Sequence, residues 1–310
     1  MKKCMSLEES YEKLEIASKK LIELLAVIVE SSDVNKINFV GIGNSIAAGW
    51  SAIDNNVNPW VNKLEPFIKN EANKVGIDVG FANFSLASDN SNKEIYDFIK
   101  LNPSLTDVKE KFIYSFDKWK KEFDNTLFQN YVNKDIAVSF YKDSNTKLKD
   151  YYNNDSLTIT SVFSSTGKIL EDITSLFDKQ KFNNVIKSEM YYLKMIDLYI
   201  KLLSNKSIVI NGNFPHISNK YLSFLNNIID NFNRSISDVC VNNHNIEYFD
   251  NIYLDFAMKY NNKIKFDNHP SIAWQYTSLY YYLMFVIRVL SENTYNKKIE
   301  VDKSKQKVLR

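Results

Sequence analysis

The sequence is poor in glycine, proline and cysteine, and each shortage excludes a class of structure. Only 7 glycines and 5 prolines occur in 310 residues, so long flexible linkers are not expected. Two cysteines, Cys4 and Cys240, are too few for a disulfide framework, and neither has metal-ligand spacing around it. Cys240 lies in an apolar, periodic segment, which is typical of a core residue.

Neither charge nor hydropathy indicates a nucleic-acid or membrane protein. The chain has 39 basic and 37 acidic residues, a balance that gives no electrostatic reason to expect nucleic acid. The basic stretch 303–310 is interpreted as a solvated terminus. The apolar run Leu21–Val29 is too short to span a bilayer and follows a charged helical stretch. We therefore expect a cytoplasmic protein without a signal peptide or an integral membrane segment.

Apolar runs and helical periodicity alternate along the chain. Residues 7–31 are predicted to form an amphipathic helix, with Ser6 as N-cap and Glu9 at the capping-box position. Five short apolar segments are predicted as strands: 37–42, 77–84, 157–163, 207–211 and 246–249. Further helices are predicted at 60–74, at 169–203 in two pieces, at 221–239 and at 271–290. This alternation predicts a parallel sheet covered on both faces.

One segment does not fit the alternation. Residues 92–154 contain many Tyr, Phe, Trp and Lys residues in helical-looking runs without a clear buried strand. We predict that they form an inserted helical cap over the functional site, and that this cap determines which substrate binds. The predicted organisation is an N-terminal helix over residues 1–35 and one α/β domain over residues 36–310.

Ligands of parallel α/β sheets bind at the carboxyl ends of the strands, so residues just after a strand are the candidates for chemistry. Ser45 follows the first strand directly, within Gly41-Ile-Gly-Asn-Ser-Ile-Ala-Ala-Gly49. Ala47 stands where the nucleophile elbow of α/β-hydrolases requires its second glycine. Of the three histidines, His216 and His244 lie in loop-like segments. His269 lies in Phe266-Asp-Asn-His-Pro-Ser271, directly before the last predicted helix.

These two segments resemble the first and last motif blocks of the SGNH (GDSL-type) hydrolases. Asn44 and Ile46 replace the usual Asp and Leu around Ser45, and Asp267 precedes His269 by two residues where three is commoner. The resemblance implies a serine esterase with a flavodoxin-like three-layer α/β/α fold, whose five-stranded parallel sheet has the strand order 2-1-3-4-5. It implies Ser45 as nucleophile, His269 as base and Asp267 as its orienting acid. It also implies a lipid, aryl or acetyl-sugar ester as substrate, with no cofactor and no metal.

The oxyanion hole departs most from the family pattern. The backbone amides of Ser45 and Ser88 are the predicted donors, although Ser88 stands where the family has a glycine. The family's third donor is an asparagine side chain after the third strand, where this chain has Ser164 and Ser165. Asn213, after the fourth strand, is the other candidate. We predict a hole with two donors and low activity.

Two alternatives remain open at this point. The first is an SGNH-like binding or structural protein that has lost efficient catalysis, which the altered oxyanion motifs favour. The second is an unrelated α/β interaction protein in which both the Ser45 and the His269 segments are simple turns, because Gly, Asn, Ser and Pro all favour turns.

Overall fold

A computed structural model describes the larger part of the chain outside the predicted cap. The described residues are 5–43, 50–51, 56–85, 148–163, 206–212, 226–242, 246–249, 259–261, 265–267, 272–308 and the single positions 180, 183, 193, 197, 200 and 204. The helices are α1 (Leu7–Glu30), α2 (Trp60–Val75), α3 (Asn226–Asn242) and α4 (Ile272–Val308). The main strands are β1 (Lys36–Gly43), β4 (Asp78–Ser85), β5 (Ser156–Phe163), β6 (Ser207–Gly212) and β7 (Ile246–Phe249).

The five main strands form one parallel sheet in the order β4-β1-β5-β6-β7. Counted along the chain, this is the order 2-1-3-4-5, so the predicted fold class and topology are confirmed. Two short antiparallel pairs lie outside the sheet, one formed by β2 (Trp50–Ser51) and β3 (Asn56–Val57), the other by β8 (Lys259–Asn261) and β9 (Lys265–Asp267). Neither short pair was predicted.

Helices cover both faces of the sheet, which explains why nearly all described residues of the central strands β1 and β5 are buried whichever face they point to. One face packs against α1, α2 and α4 and is called the α4 face. Its buried strand residues include Ile37, Phe39, Leu157, Ile159 and Ile210. The opposite face is called the α3 face, because Tyr248 of β7 donates a hydrogen bond from its hydroxyl to the Asn233 carbonyl of α3 at 3.1 Å. Cys240 of α3 is 1% exposed, which confirms it as a core residue.

Helix α1 begins as the sequence predicts, since the Ser6 hydroxyl accepts a hydrogen bond from the Glu9 amide at 3.1 Å. Its apolar stripe, which includes Leu14, Leu21 and Leu25, is fully buried in the core of the α4 face. The described positions between 180 and 200 are helical, as the periodicity of 169–203 predicts. A bilayer-spanning helix, with the length and apolar character that crossing requires, is not found in the described part of the chain.

The last residues of the predicted insertion belong to the sheet layer. Residues Leu148–Tyr151 form a 3-10 turn, and the Tyr151 carbonyl accepts hydrogen bonds from Asn38 Nδ2 and Thr158 Oγ1. The hydroxyl of Tyr152 lies 2.7 Å from Thr160 Oγ1. These contacts fix the approach to β5 on the α3 face. The rest of segment 92–154 lies outside the described residues, so the cap over the site stays a prediction.

Gly80 occupies a position in β4 where a larger side chain has no room. It pairs with Asn38 of β1, and a Cβ at Gly80 would lie 2.5 Å from Asn38 Oδ1. The Asn38 side chain cannot turn away freely, because its Nδ2 donates to the Tyr151 carbonyl at 2.9 Å. We expect Gly80→Ala to lower the free energy of unfolding by about 1–3 kcal/mol, measured by urea denaturation. In an Asn38→Ala background the same change should cost less, and an equal cost would contradict the steric explanation.

Candidate functional site

The strands of the main sheet end together. Gly43, the last residue of β1, pairs with Ser85 of β4 and with Phe163 of β5. Phe163 pairs in turn with Gly212 of β6, and Gly212 pairs with Phe249 of β7. The last residues of all five strands therefore form one row across the carboxyl edge of the sheet. This edge is where the α/β fold class places its ligands.

Most of the predicted site residues come within three positions after this row. Ser45 comes two residues after Gly43, Ser88 three after Ser85, and Asn213 directly after Gly212. Ser164 and Ser165 come directly after Phe163 in the same way. These five residues and His269 lie outside the described residues. Asp267 is the last residue of β9, where its backbone pairs with Lys259 of β8. The convergence of Ser45, His269 and Asp267 stays a prediction.

Helix α4 begins beside the carboxyl edge. The chain between the end of α1 at Glu30 and the start of β1 at Lys36 is short, so α1 ends near the amino edge of the sheet. It therefore begins near the carboxyl edge and runs antiparallel to the strands. α4 lies along α1 in the same direction: the hydroxyls of Ser10 and Thr277 are 3.3 Å apart, and Lys13 Nζ is 5.8 Å from the centre of the Tyr280 ring. His269 comes three residues before the start of α4.

A buried hydrogen bond fixes α4 to the sheet close to this edge. The hydroxyls of Ser161 in β5 and Tyr282 in α4 are 2.6 Å apart. The Tyr282 ring also makes edge contacts with Trp60, at the start of α2, and with Phe249, at the end of β7, with centroid separations of 5.6 and 5.8 Å. Burial raises the pKa of the Tyr282 phenol, although the hydrogen bond to Ser161 acts in the opposite direction. Tyr282 is thus a neutral structural group that aligns α2 and α4 with the strand ends.

Lys63, in the first turn of α2, is unusual because its side chain is buried, whereas most lysines are exposed. It is 2% exposed, and its ammonium donates a hydrogen bond to the Asn58 carbonyl. Burial alone lowers the pKa of Lys63 to about 7. In the described residues no carboxylate forms an ion pair with Lys63 to compensate for its burial. The lysine therefore destabilises the folded state whenever it is charged.

Asn211, the residue before the last in β6, is the second unusual polar group. Its side chain is 0% exposed. Neither the amide nitrogen nor the oxygen has a hydrogen-bond partner in the described parts of the protein. Buried amides are almost always hydrogen-bonded, so an unmet carboxamide next to the carboxyl edge requires an explanation.

Sequence reasoning did not select Ser161, Tyr282, Lys63 or Asn211 as site residues. A polar residue next to the end of an apolar strand is a usable signal at Asn211, because it follows three apolar residues of β6. Ser161 gives no such signal, since β5 also contains Thr158 and Thr160. Lys63 lies three residues after Trp60 and one before Leu64, at the border of the apolar stripe of α2. Its residue type nevertheless predicts exposure, since lysine is almost never buried without a partner.

Comparison with known proteins gives structural likenesses at low sequence identity. No protein-family model and no curated protein sequence matches the chain. A lipolytic protein of the G-D-S-L family from Veillonella parvula is 16% identical, with a TM-score of 0.39 over 80% of this chain and 96% of the other. Phospholipase A1 from Streptomyces albidoflavus is 10% identical, with a TM-score of 0.42 over 80% of this chain and 98% of the other. The lipase Lip_vut3 from a goat rumen metagenome is 11% identical, with a TM-score of 0.41 over 81% of this chain and 97% of the other. The chain is similar in structure to these three proteins.

Proposed function

We propose that this protein hydrolyses a carboxylic ester through a covalent acyl-enzyme at the carboxyl edge of the sheet. Ser45 is the nucleophile, His269 the general base and Asp267 the group that orients His269. The observation that carries the proposal is the single row of strand ends from Ser85 to Phe249. Because the strands end together, the loops that contain Ser45 and the oxyanion candidates begin side by side.

The reach of the chain is compatible with this arrangement. Two residues span at most about 7 Å, which limits the distance of Ser45 from Gly43, and three residues limit His269 to about 11 Å from Ile272. Tyr282 is ten residues, or about 15 Å, from the start of α4. Ser161 is only two residues, or about 7 Å, from the end of β5. Because Tyr282 and Ser161 are in contact, the start of α4 extends beyond the carboxyl edge of the sheet. The segment before α4 is long enough for His269 to return to the edge and reach Ser45.

The chemistry follows from the roles of the three groups. The Ser45 hydroxyl attacks the ester carbonyl carbon while His269 removes its proton, and Asp267 stabilises the imidazolium. His269 then gives the proton to the departing alkoxide, which leaves an acyl group on Ser45. A water molecule, deprotonated by His269, attacks the acyl carbon. The bond between that carbon and Ser45 Oγ then breaks, His269 returns the proton to Oγ, and the acid is released. The protein uses its own side chains and amides for every step.

The oxyanion formed in both attacks needs hydrogen-bond donors that are already in place. We propose the backbone amides of Ser45 and Ser88, since β1 and β4 are adjacent and end in the same row. Ser164 and Ser165 have side chains shorter than an asparagine. Asn213 starts from β6, which is separated from β1 by β5, or about 10 Å. The hole therefore has two donors, which limits turnover.

A fluorophosphonate probe tests the nucleophile directly. Such probes phosphonylate a serine only when a base activates its hydroxyl, so the wild type is expected to be labelled and Ser45→Ala is not. Ser31→Ala, at the exposed end of α1, is the control and should be labelled like the wild type. Mass spectrometry of the labelled peptide identifies the modified residue. Labelling that persists in Ser45→Ala would refute the proposal.

The second candidate function is ligand binding without efficient catalysis on the same scaffold. The presence of Ser88, Ser164 and Ser165 where the family has oxyanion glycine and asparagine residues favours it. Losing one oxyanion donor typically lowers turnover by about 10²–10³-fold. Absence of labelling in the folded wild type, together with no hydrolysis of an activated ester, would select this alternative.

A further inference from the structure

We propose that Lys63 is a pH-sensitive latch, which holds the segment 56–59 closed when its side chain is neutral and favours opening of that segment when it is charged. Segment 56–59 comprises β3 and the two residues before α2, and its pairing partner β2 begins five residues after Ser45. The Lys63 side chain reaches back to this segment and donates a hydrogen bond to the Asn58 carbonyl. The inference concerns how the segment is held, so it does not depend on Ser45 being a nucleophile.

The closed state accommodates the neutral amine better than the ammonium. Lys63 is 2% exposed, and burial of an ammonium without a carboxylate beside it opposes folding. A neutral amine can donate the same hydrogen bond to the Asn58 carbonyl without that cost. Because the lysine side chain is long, its nitrogen can reach water after a small displacement of the residues that cover it. Protonation of Lys63 therefore favours a local opening.

Few bonds hold segment 56–59 in place. β3 pairs with β2 over only two residue pairs, and this short pair lies outside the main sheet. Pro59, the N-cap residue of α2, makes no side-chain capping hydrogen bond. Trp60, by contrast, is 3% exposed and packs edge-on against Tyr282, with ring centroids 5.6 Å apart. The segment before Trp60 can thus open while the rest of α2 stays packed.

The other charged and titratable groups on α2 and on the elements packed against it do not act on Lys63. Lys36 of β1 and Asp78 of β4 form an ion pair with each other. Burial raises the pKa values of Tyr276 and Tyr282 in α4, so these phenols stay neutral. The remaining described groups are at least partly exposed, several of them in ion pairs with each other: Glu8, Glu9, Tyr11, Glu12, Lys13, Glu15, Lys19, Lys20, Glu23 and Glu30 of α1, Glu65, Lys69, Glu71 and Lys74 of α2, and Tyr280, Tyr281, Arg288 and Glu292 of α4. Burial is accordingly the only cause of the lowered pKa of Lys63.

The pH range of the latch follows from the two states of Lys63. Its pKa is about 7 when buried and near 10.5 when exposed. Between these values an open molecule binds the extra proton and a closed molecule does not, so closure is favoured as the pH rises. The opening constant of segment 56–59 should fall about fiftyfold from pH 7 to pH 9, and it should change only about twofold below pH 7.

Amide hydrogen exchange of the intact protein measures this opening. The Lys63 amide donates to the Pro59 carbonyl at 3.0 Å, so its exchange reports movement of segment 56–59. Its protection factor, which corrects for the pH dependence of intrinsic exchange, should rise about fiftyfold from pH 7 to pH 9 in the wild type. In Lys63→Met the protection factor of the same amide should not vary with pH. A constant protection factor in the wild type would overturn the inference, whether or not the variant folds.

The other end of α2 is the internal control. The Ile77 amide donates to the Ala72 carbonyl at 3.1 Å, and its protection factor should stay constant over the same pH range. An equal rise at Ile77 would show that Lys63 acts on unfolding of the whole protein, which would also overturn the inference. Lys69→Met replaces an exposed lysine of the same helix and should keep the wild-type pH dependence at the Lys63 amide. Loss of that dependence in Lys69→Met would contradict the assignment to Lys63.

Discussion

Replacing His269 by alanine is expected to lower kcat/KM for p-nitrophenyl acetate at least about a thousandfold. Without the imidazole, the Ser45 hydroxyl has no base to remove its proton, and loss of either member of such a pair removes most of the catalysis. Ser45→Ala should cause a similar loss. The double variant should be no worse than either single one, because the two groups act as a unit.

The chain offers close controls for this experiment. His244→Ala removes another of the three histidines and should leave kcat/KM nearly unchanged. Asn213→Ala should also have little effect if the oxyanion hole has two donors. A fall of about a hundredfold in Asn213→Ala would show a third donor at that position. Retention of activity in His269→Ala would exclude His269 as the base and require a new assignment of the site.

The second large effect concerns stability. Lys63→Met should raise the free energy of unfolding on the order of 2–3 kcal/mol at pH 7, because methionine fills the buried site without a charge. This estimate includes a loss of about 1 kcal/mol for the hydrogen bond from Lys63 to the Asn58 carbonyl. Urea denaturation of both proteins measures the difference. The exposed Lys69 of the same helix is the control, and Lys69→Met should change stability far less.

The pH dependence identifies the cause. Burial lowers the pKa of Lys63 from 10.5 in the unfolded chain to about 7 in the folded protein. Between these values the unfolded chain binds the extra proton, so this group makes the wild type more stable as the pH rises. The stability advantage of Lys63→Met should therefore be largest and constant below pH 7 and should shrink as the pH approaches 10.5. An advantage that does not vary with pH would contradict a charge effect.

The fold could be predicted because its strands are buried on both faces. Such strands are short segments with few charged residues, and the capping box at Ser6 marks the start of α1. The pairs β2–β3 and β8–β9 were missed because two- and three-residue strands are too short to show periodicity. The predicted end of the last helix near Leu290 was wrong, since α4 continues to Val308. Apolar periodicity stops there, but the following Lys, Glu and Gln residues still favour a helix.

The site could be predicted only as positions along the chain. Sequence reasoning selected Ser45 and Asn213 from their positions after strands, and Ser88 from the family resemblance. It could not select the bond between Ser161 and Tyr282, since those residues are 121 positions apart and only packing brings them together. Nor could it reveal that the carboxamide of Asn211 is unmet, because satisfaction of a hydrogen bond depends on neighbours in space.

The pairing of α1 with α4 has a consequence for the synthesis of the chain. The Met5 amide donates to Thr277 Oγ1 at 3.1 Å, so the first described residue depends on one that is translated 272 residues later. Leu14, Leu21 and Leu25 share one core with residues of α2 and α4, so their packing is completed only after α4 leaves the ribosome. Contacts of such long sequence separation slow folding and prolong the exposure of apolar surface. We therefore expect the α4-facing side of the first helix to stay exposed in the nascent chain until the last helix has been synthesised.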